Sequence, residues 1–503
     1  MAPTRRDFLE LAGAATLGGL MDKASTGARE GLEPPIHYRD AIDLLAALRS
    51  KQISAVELME STLERIAAVN PIVNALVSLV PPEQARAQAR AADAAIASGA
   101  ALPPLHGLPF AVKDLALTRG LRTTFGSPIF KDFVPDQDEL FVERLRAAGA
   151  IVIGKTNTPE FGAGSQTFNP VFGATRNPYD PGRTAGGSSG GAAAALASGM
   201  LALADGSDLG GSLRNPAAFC NVIGFRPSPG RVPAYPSDMA WNTLPVIGPM
   251  ARTVRDAALL LSVMAGPDDR DPISIEQPGA LFLAPLERNL RGVRIAWTPD
   301  LGRYPVEPAV VDVCRRAVGV LEELGCEVAE DSPDMSGADW CFNALRGELF
   351  ALRGAELLEH HAAQLKDTVV WNIRVGLGQT AADVARARAE RTVIYHRMRE
   401  FLTHYEYLVL PATQVAPFDV DIDWVREING RPMQSYLDWM GICYAITLTG
   451  LPAISVPAGF TPEGMPVGLQ IVGRHHADLA VLRIAHALEQ ASGHGRMRPR
   501  LDP

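Results

Sequence analysis

The sequence predicts an α/β fold built as one large domain, because helical and strand-like segments alternate along most of the chain, no linker divides it and no internal repeat occurs. At 503 residues there is ample material for a buried sheet between helices, although length alone does not separate one large domain from two. Composition is that of an ordinary folded protein, 47% hydrophobic and 20% charged. A formal charge of −9 argues against a nucleic-acid or anionic-membrane surface, since neither polyanion would be attracted. No apolar run reaches the roughly 20 residues that a membrane-crossing helix needs.

Residues 1–30 stand apart. Thr4-Arg5-Arg6-Asp7-Phe8-Leu9 precedes a short, mildly apolar run from Leu11 to Met21 and resembles a twin-arginine export signal. An amphipathic helix of a cytosolic protein is the other reading, and no A-x-A cleavage site lies between Met21 and Glu30. Export to the periplasm is the expectation, and the fold is read from residue 31 onward.

Ser54-Ala55-Val56-Glu57 is a capping box that opens a helix, with Leu58, Leu63, Ile66 and Val69 at helical spacing. Asn70-Pro71 predicts its end, because the residue before a proline resists the helical conformation. An Ala-rich helix follows over about Gln84–Ser98. Leu108–Val112 reads as a strand, Glu139–Ala148 as a helix stopped by Gly149, and Ala150–Gly154 as the next strand. The same step recurs as a helix over Pro308–Leu324, the stop Gly325 and a strand over Cys326–Ala329. From about Asp331 to Glu406 the pattern is almost wholly helical, and strands return at Tyr407–Leu410, Ala453–Pro457 and Gly468–Val472. Such alternation places a mostly buried sheet at the centre.

Cys220, Cys314, Cys326, Cys341 and Cys443 are scattered, form no CxxC and lack zinc-ligand spacing, so they are expected as small buried side chains. Among 47 basic residues only six are lysines, and two of those, Lys113 and Lys155, fall in motif-like segments.

The richest segment begins at Ala185-Gly186-Gly187-Ser188-Ser189-Gly190-Gly191 and continues through Ala192–Ala197. Four glycines around two serines permit backbone geometry that Cβ-bearing residues resist, and the alanines let a helix pack closely behind. A phosphate cradle fails on detail, since neither G-K-[ST] nor G-x-G-x-x-G fits this loop; a plain flexible turn is the other alternative. Downstream, Asp208-Leu209-Gly210-Gly211-Ser212-Leu213-Arg214 places a serine directly after two glycines, where neighbouring N–H groups can converge as an oxyanion hole demands. A serine nucleophile needs a base. None of His106, His360-His361 or His475-His476 sits in a recognisable triad context, which leaves a lysine desolvated enough to lose its charge. Lys113, at the end of the apolar run Gly107–Val112, is either such a base or the partner of a carboxylate. Lys155 also ends a strand and is expected to be structural.

Taken together, Gly107–Asp114, Gly186–Gly191 and Asp208–Arg214, running on to Gly224-Phe225-Arg226-Pro227, resemble the amidase signature family. Gly149–Phe161, Gly173–Pro178 and Pro452–Arg474 extend the resemblance, which covers about Ile36 to Gln490 and is weakest from Asp271 to Leu408. The 24-residue step from Ser188 to Ser212 agrees with the family's spacing. Ser207, where threonine is common, and Phe225-Arg226-Pro227, in place of Leu-Lys-Pro, are mild departures.

The resemblance implies a mixed twisted sheet surrounded by helices over residues 31–503, with a variable helical substrate-pocket region at about 331–440. It implies Ser212 as nucleophile, Lys113 as base, and Ser188, held through a cis peptide bond, between them. Leu209, Gly210, Gly211 and Ser212 would supply oxyanion-hole N–H groups, with Asp208, Arg214 and Ser189 as supports. The implied reaction is hydrolysis of apolar or aryl amides through an acyl-serine, without metal or organic cofactor. A homodimer is the assembly implied, and a glutaminase subunit serving tRNA amidation or a silent binding member of the fold are the alternatives. Trp340, Phe342, Trp371, Trp424 and Trp439 are the aromatic candidates for the pocket wall.

Overall fold

Two sheets organise the molecule, and the candidate motifs sit where they meet. The computed structural model describes residues 34–501, so the twin-arginine expectation lies outside the described residues. From Ile36 onward the chain forms one unit.

The smaller sheet consists of β1 (Leu76–Val77), β2 (Pro109–Lys113) and β3 (Ile151–Thr156), in the order β1-β3-β2. β2 and β3 run parallel, and both are buried along their whole length. The larger sheet has eight strands: β4 (Leu203–Asp208), β5 (Ile223–Arg226), β6 (Val246–Ala251), β7 (Arg294–Trp297), β8 (Glu327–Glu330), β9 (Tyr407–Pro411), β10 (Ala453–Phe460) and β11 (Pro466–Val472). Their order is β8-β7-β9-β11-β10-β5-β6-β4. β7 pairs in parallel with both β8 and β9, while the remaining ladders are antiparallel, so the sheet is mixed. The α/β expectation and its mixed, helix-covered sheet hold.

Helix α1 (Ala55–Val73) begins as expected, with the Ser54 side chain accepting from the Glu57 N–H and the Glu57 side chain answering to the Ser54 N–H. It does not stop at Asn70-Pro71. One more turn forms because the Asn70 carbonyl accepts the N–H of Asn74, while its side-chain oxygen accepts from Ala75 and Leu76. The backbone groups at this end are thereby satisfied, and Asn74, in the left-handed region, terminates the helix.

Helix α2 (Gly190–Ala197) is buried on every face. Its glycine start is a steric requirement: a Cβ on Gly191 would lie 2.2 Å from the Asn157 nitrogen and 2.6 Å from the Ala75 oxygen. α3 (Arg214–Phe219) follows the Ser212 turn. The long helical stretch resolves into α4 (Ala338–His361), α5 (Asp367–Leu377) and α6 (Ala381–His404). All five cysteines are buried and free.

Candidate active site

The Lys113 ammonium nitrogen is the centre of a cluster of hydroxyls. Lys113 is the last residue of β2, and its backbone N–H donates to Asp205 Oδ1 on β4 at 3.0 Å, which joins the two sheets at this point. Its Nζ lies 2.8 Å from Ser188 Oγ, 2.7 Å from Ser189 Oγ and 3.0 Å from Ser207 Oγ. Among the described residues no carboxylate forms a salt bridge with it, so the ion-pair alternative is not what the fold builds. Burial pushes its pKa down to about 7, against a smaller opposing pull from Asp205 and Asp208. Hydroxyls suit both charge states, since each can accept from the ammonium or donate to the free amine's lone pair. Ser207 keeps the hydroxyl that threonine would have supplied.

The Gly187–Ser188 peptide is cis. Gly187 is packed so closely that a Cβ would fall 2.9 Å from the Gln166 nitrogen, and its carbonyl accepts from Ser165 Oγ at 3.0 Å. Ser165 in turn accepts from Asn215 Nδ2 on α3, so the Ser188 loop and the helix after Ser212 share one hydrogen-bond chain.

Ser212 sits at the turn between β4 and α3, 8% exposed and facing the same cavity as Ser188. Its hydroxyl makes no hydrogen bond among the described residues. Asp208 shapes the turn by accepting the N–H groups of Gly211 (2.9 Å) and Leu213 (3.1 Å). Gly211 is thus already committed, whereas the N–H groups of Leu209, Gly210 and Ser212 have no acceptor among the described residues. Three of the four expected oxyanion donors therefore remain available.

Arg214 grips the Asp208 carboxylate with two nitrogens, at 3.0 and 2.9 Å, and Arg226 reaches both its carbonyl and its carboxylate. Burial would raise the Asp208 pKa, but these two guanidinium groups hold it well below the usual carboxylate range. The Arg226 of the family departure is therefore a second support of the turn. Asp208→Asn would leave two buried guanidinium groups facing a neutral amide. The expected loss is about 3–5 kcal/mol of stability, read as a lowered urea midpoint; an unchanged midpoint would contradict the role. Lys155 donates to the Ala116 carbonyl and Thr118 Oγ1, tying down the turn after β2, as the structural reading expects.

A family model described as Amidase matches residues 57–482. A solved bacterial aryl acylamidase of the amidase signature family superposes with a TM-score of 0.87 at 31% identity, covering 93% of this chain and 100% of its own. The chain belongs to the amidase signature family. This amidase is also 38% identical over 463 residues to an acylamidase of Rhodococcus erythropolis, covering 91% of this chain and 96% of that one. It is 36% identical over 491 residues to a glutamyl-tRNA(Gln) amidotransferase component of Moorella thermoacetica, covering 93% and 99% respectively.

The cavity of this amidase is about 950 Å³ and is lined mainly by apolar side chains around Ser188 and Ser212. One wall is an aromatic cluster of Phe125, Phe130, Phe133 and Phe161, with Phe125 and Phe130 edge to face at 5.3 Å. The 331–440 region supplies further lining from α4, α5 and Tyr436, and Phe161 packs in one cluster with Phe350, Val369 and Ile373. Of its five aromatic candidates only Phe342 lines the cavity. Trp439 is core, stacked on Phe219 and edge-on to Phe418; Trp424 lies under Arg426; Trp340 and Trp371 are exposed to solvent. Trp371 meets the cavity only indirectly, edge-on to Tyr436 at 5.8 Å, and the phenylalanine wall comes from Phe125, Phe130 and Phe133 between β2 and β3 and from Phe161 just after β3. Among the described residues no histidine lines the cavity.

Proposed function

We propose that this chain hydrolyses apolar or aryl carboxylic amides through an acyl-Ser212 intermediate, with Lys113 as the base and Ser188 as the relay. The observation that carries the reading is a buried amine, with no carboxylate in salt-bridge contact among the described residues, 2.8 Å from a serine hydroxyl that shares a cavity with Ser212.

In this mechanism neutral Lys113 accepts the Ser188 proton while Ser188 accepts that of Ser212, whose oxygen attacks the amide carbon. The N–H groups of Leu209, Gly210 and Ser212 hold the oxyanion. As the C–N bond breaks, the proton returns through Ser188 to the departing nitrogen, and the amine leaves. Water then attacks the acyl-serine by the same relay and frees the carboxylate. Support for apolar or aryl substrates comes from the phenylalanine wall, which offers π faces and little competition from water.

The 36% identity to an amidotransferase component supplies the rival reading, a glutaminase that releases ammonia for a partner chain. A hydrolysis panel of aryl, aliphatic and peptide amides beside glutamine decides between them. Turnover of anilides with glutamine at background is expected; efficient ammonia release from glutamine with inert anilides would reverse the assignment.

A further inference from the structure

One buried cation in the cavity wall has almost no protein partner. Arg346 is 5% exposed and lines the cavity from α4, one turn (about 6 Å along the axis) beyond Phe342. The Phe342 ring itself abuts the nucleophile turn, its Cζ 3.0 Å from where a Cβ on Gly210 would stand. The guanidinium has five N–H donors and stays charged at any working pH. Its only hydrogen bond among the described residues is to Tyr436 Oη, and it stacks over the Phe350 ring at 4.2 Å and the Tyr436 ring at 5.7 Å.

Four other deeply buried arginines are held by carboxylates or backbone carbonyls. Arg214 and Arg226 grip Asp208, Arg231 grips Asp478, and Arg252 is held by backbone carbonyls. Arg346 forms no salt bridge among the described residues. The cavity's own carboxylates do not serve it: Asp238 is paired with Arg353 at 3.1 Å, Glu139 takes the Leu117 N–H at 3.2 Å, and Glu356 is exposed nearly three turns further along α4. Tyr436 Oη accepts from Arg346 and also from Asn372 Nδ2 at 2.7 Å, so its own O–H is left to donate. This part of the wall therefore presents guanidinium and phenol donors and no acceptor. Beyond the bond to Tyr436 these donors face the cavity, and a bidentate carboxylate matches a guanidinium fork best.

We infer that Arg346 and Tyr436 form a carboxylate subsite, and that the preferred substrate is an amide with an apolar or aryl body and a carboxylate at the end remote from the scissile bond. This rests on the amide-hydrolase reading and adds the polarity of the substrate's far end.

The test compares kcat/KM within two matched pairs: acetanilide carrying a para-carboxylate against para-methyl acetanilide, and the anilide of a dicarboxylic acid against the anilide of the corresponding fatty acid. The first pair probes the amine side and the second the acyl side. In at least one pair the wild-type enzyme should favour the carboxylate by tenfold or more. Arg346→Met should erase that ratio through KM, the carboxylate member losing far more than the uncharged one, and Arg346→Lys should restore part of it. The wild-type ratio needs no variant to fold. If the uncharged anilides are hydrolysed and neither pair shows a preference, or if Arg346→Met lowers both members equally, the subsite is refuted. Failure of every anilide would instead strike at the amide-hydrolase reading.

Discussion

Ser212→Ala is expected to abolish amide turnover, with kcat falling on the order of 10³-fold or more, while the protein unfolds at the wild-type temperature. Both halves follow from the turn. The hydroxyl is the only part of the side chain with chemistry to do, and it makes no hydrogen bond among the described residues, so its removal strands no partner. The backbone that shapes the turn is held by Asp208, Arg214 and Arg226 and does not depend on Ser212 Oγ. Near-normal anilide hydrolysis by the variant, measured on protein with an unshifted melting curve, would remove Ser212 from the reaction.

Lys113→Met should be nearly as severe, again on the order of 10³-fold in kcat. Methionine fills the volume of the lysine stem but offers no lone pair to Ser188. Lys113→Arg should fare no better, because a guanidinium does not release its proton and so cannot act as the base. The three hydroxyls around the lost amine can bond to one another, so the loss of stability should be far smaller than the loss of rate. Retention of activity within about tenfold of wild type by the methionine variant would show that the amine is a structural group.

The fold was legible where local chemistry and packing agree. Ser54 and Glu57 marked a helix start, and Gly149 and Gly325, at φ of 85° and 93°, marked two helix ends followed by parallel strands. Pro71 misled because the Asn70 side chain ties down the turn that follows the proline, which a propensity argument does not see. β4 to β7 were harder: β4 reads Leu-Ala-Asp-Gly-Ser-Asp, a string with no alternation, because its polar residues serve the site, Asp205 and Asp208 fully buried and Ser207 partly so.

At the site, the residues contiguous in sequence were readable and those gathered by tertiary structure were not. Gly186–Gly191 and Asp208–Arg214 each carry their own turn chemistry, and Lys113 stood out as a cation at the end of an apolar strand. Asp205, Ser165 and Asn215 join the cluster only because the two sheets and α3 meet there. Phe125, Phe130 and Phe133 lie in a stretch that looks like an irregular loop, and it takes the folded cavity to make them a wall. Arg346 resembles any surface arginine of an amphipathic helix until α5 and Tyr436 cover it.

The central physical claim is that the Lys113 amine gives up its charge near neutral pH because it is buried among hydroxyls. The pH dependence of kcat/KM for an uncharged anilide tests it most directly, since this parameter reports groups of the free enzyme. The neutral amine is the active form and protonation removes it, so the rate should fall about tenfold per unit as pH drops below about 7 and level off above it. A flat profile from pH 5 to 9, or a midpoint near an ordinary lysine's, roughly 10, would contradict the account.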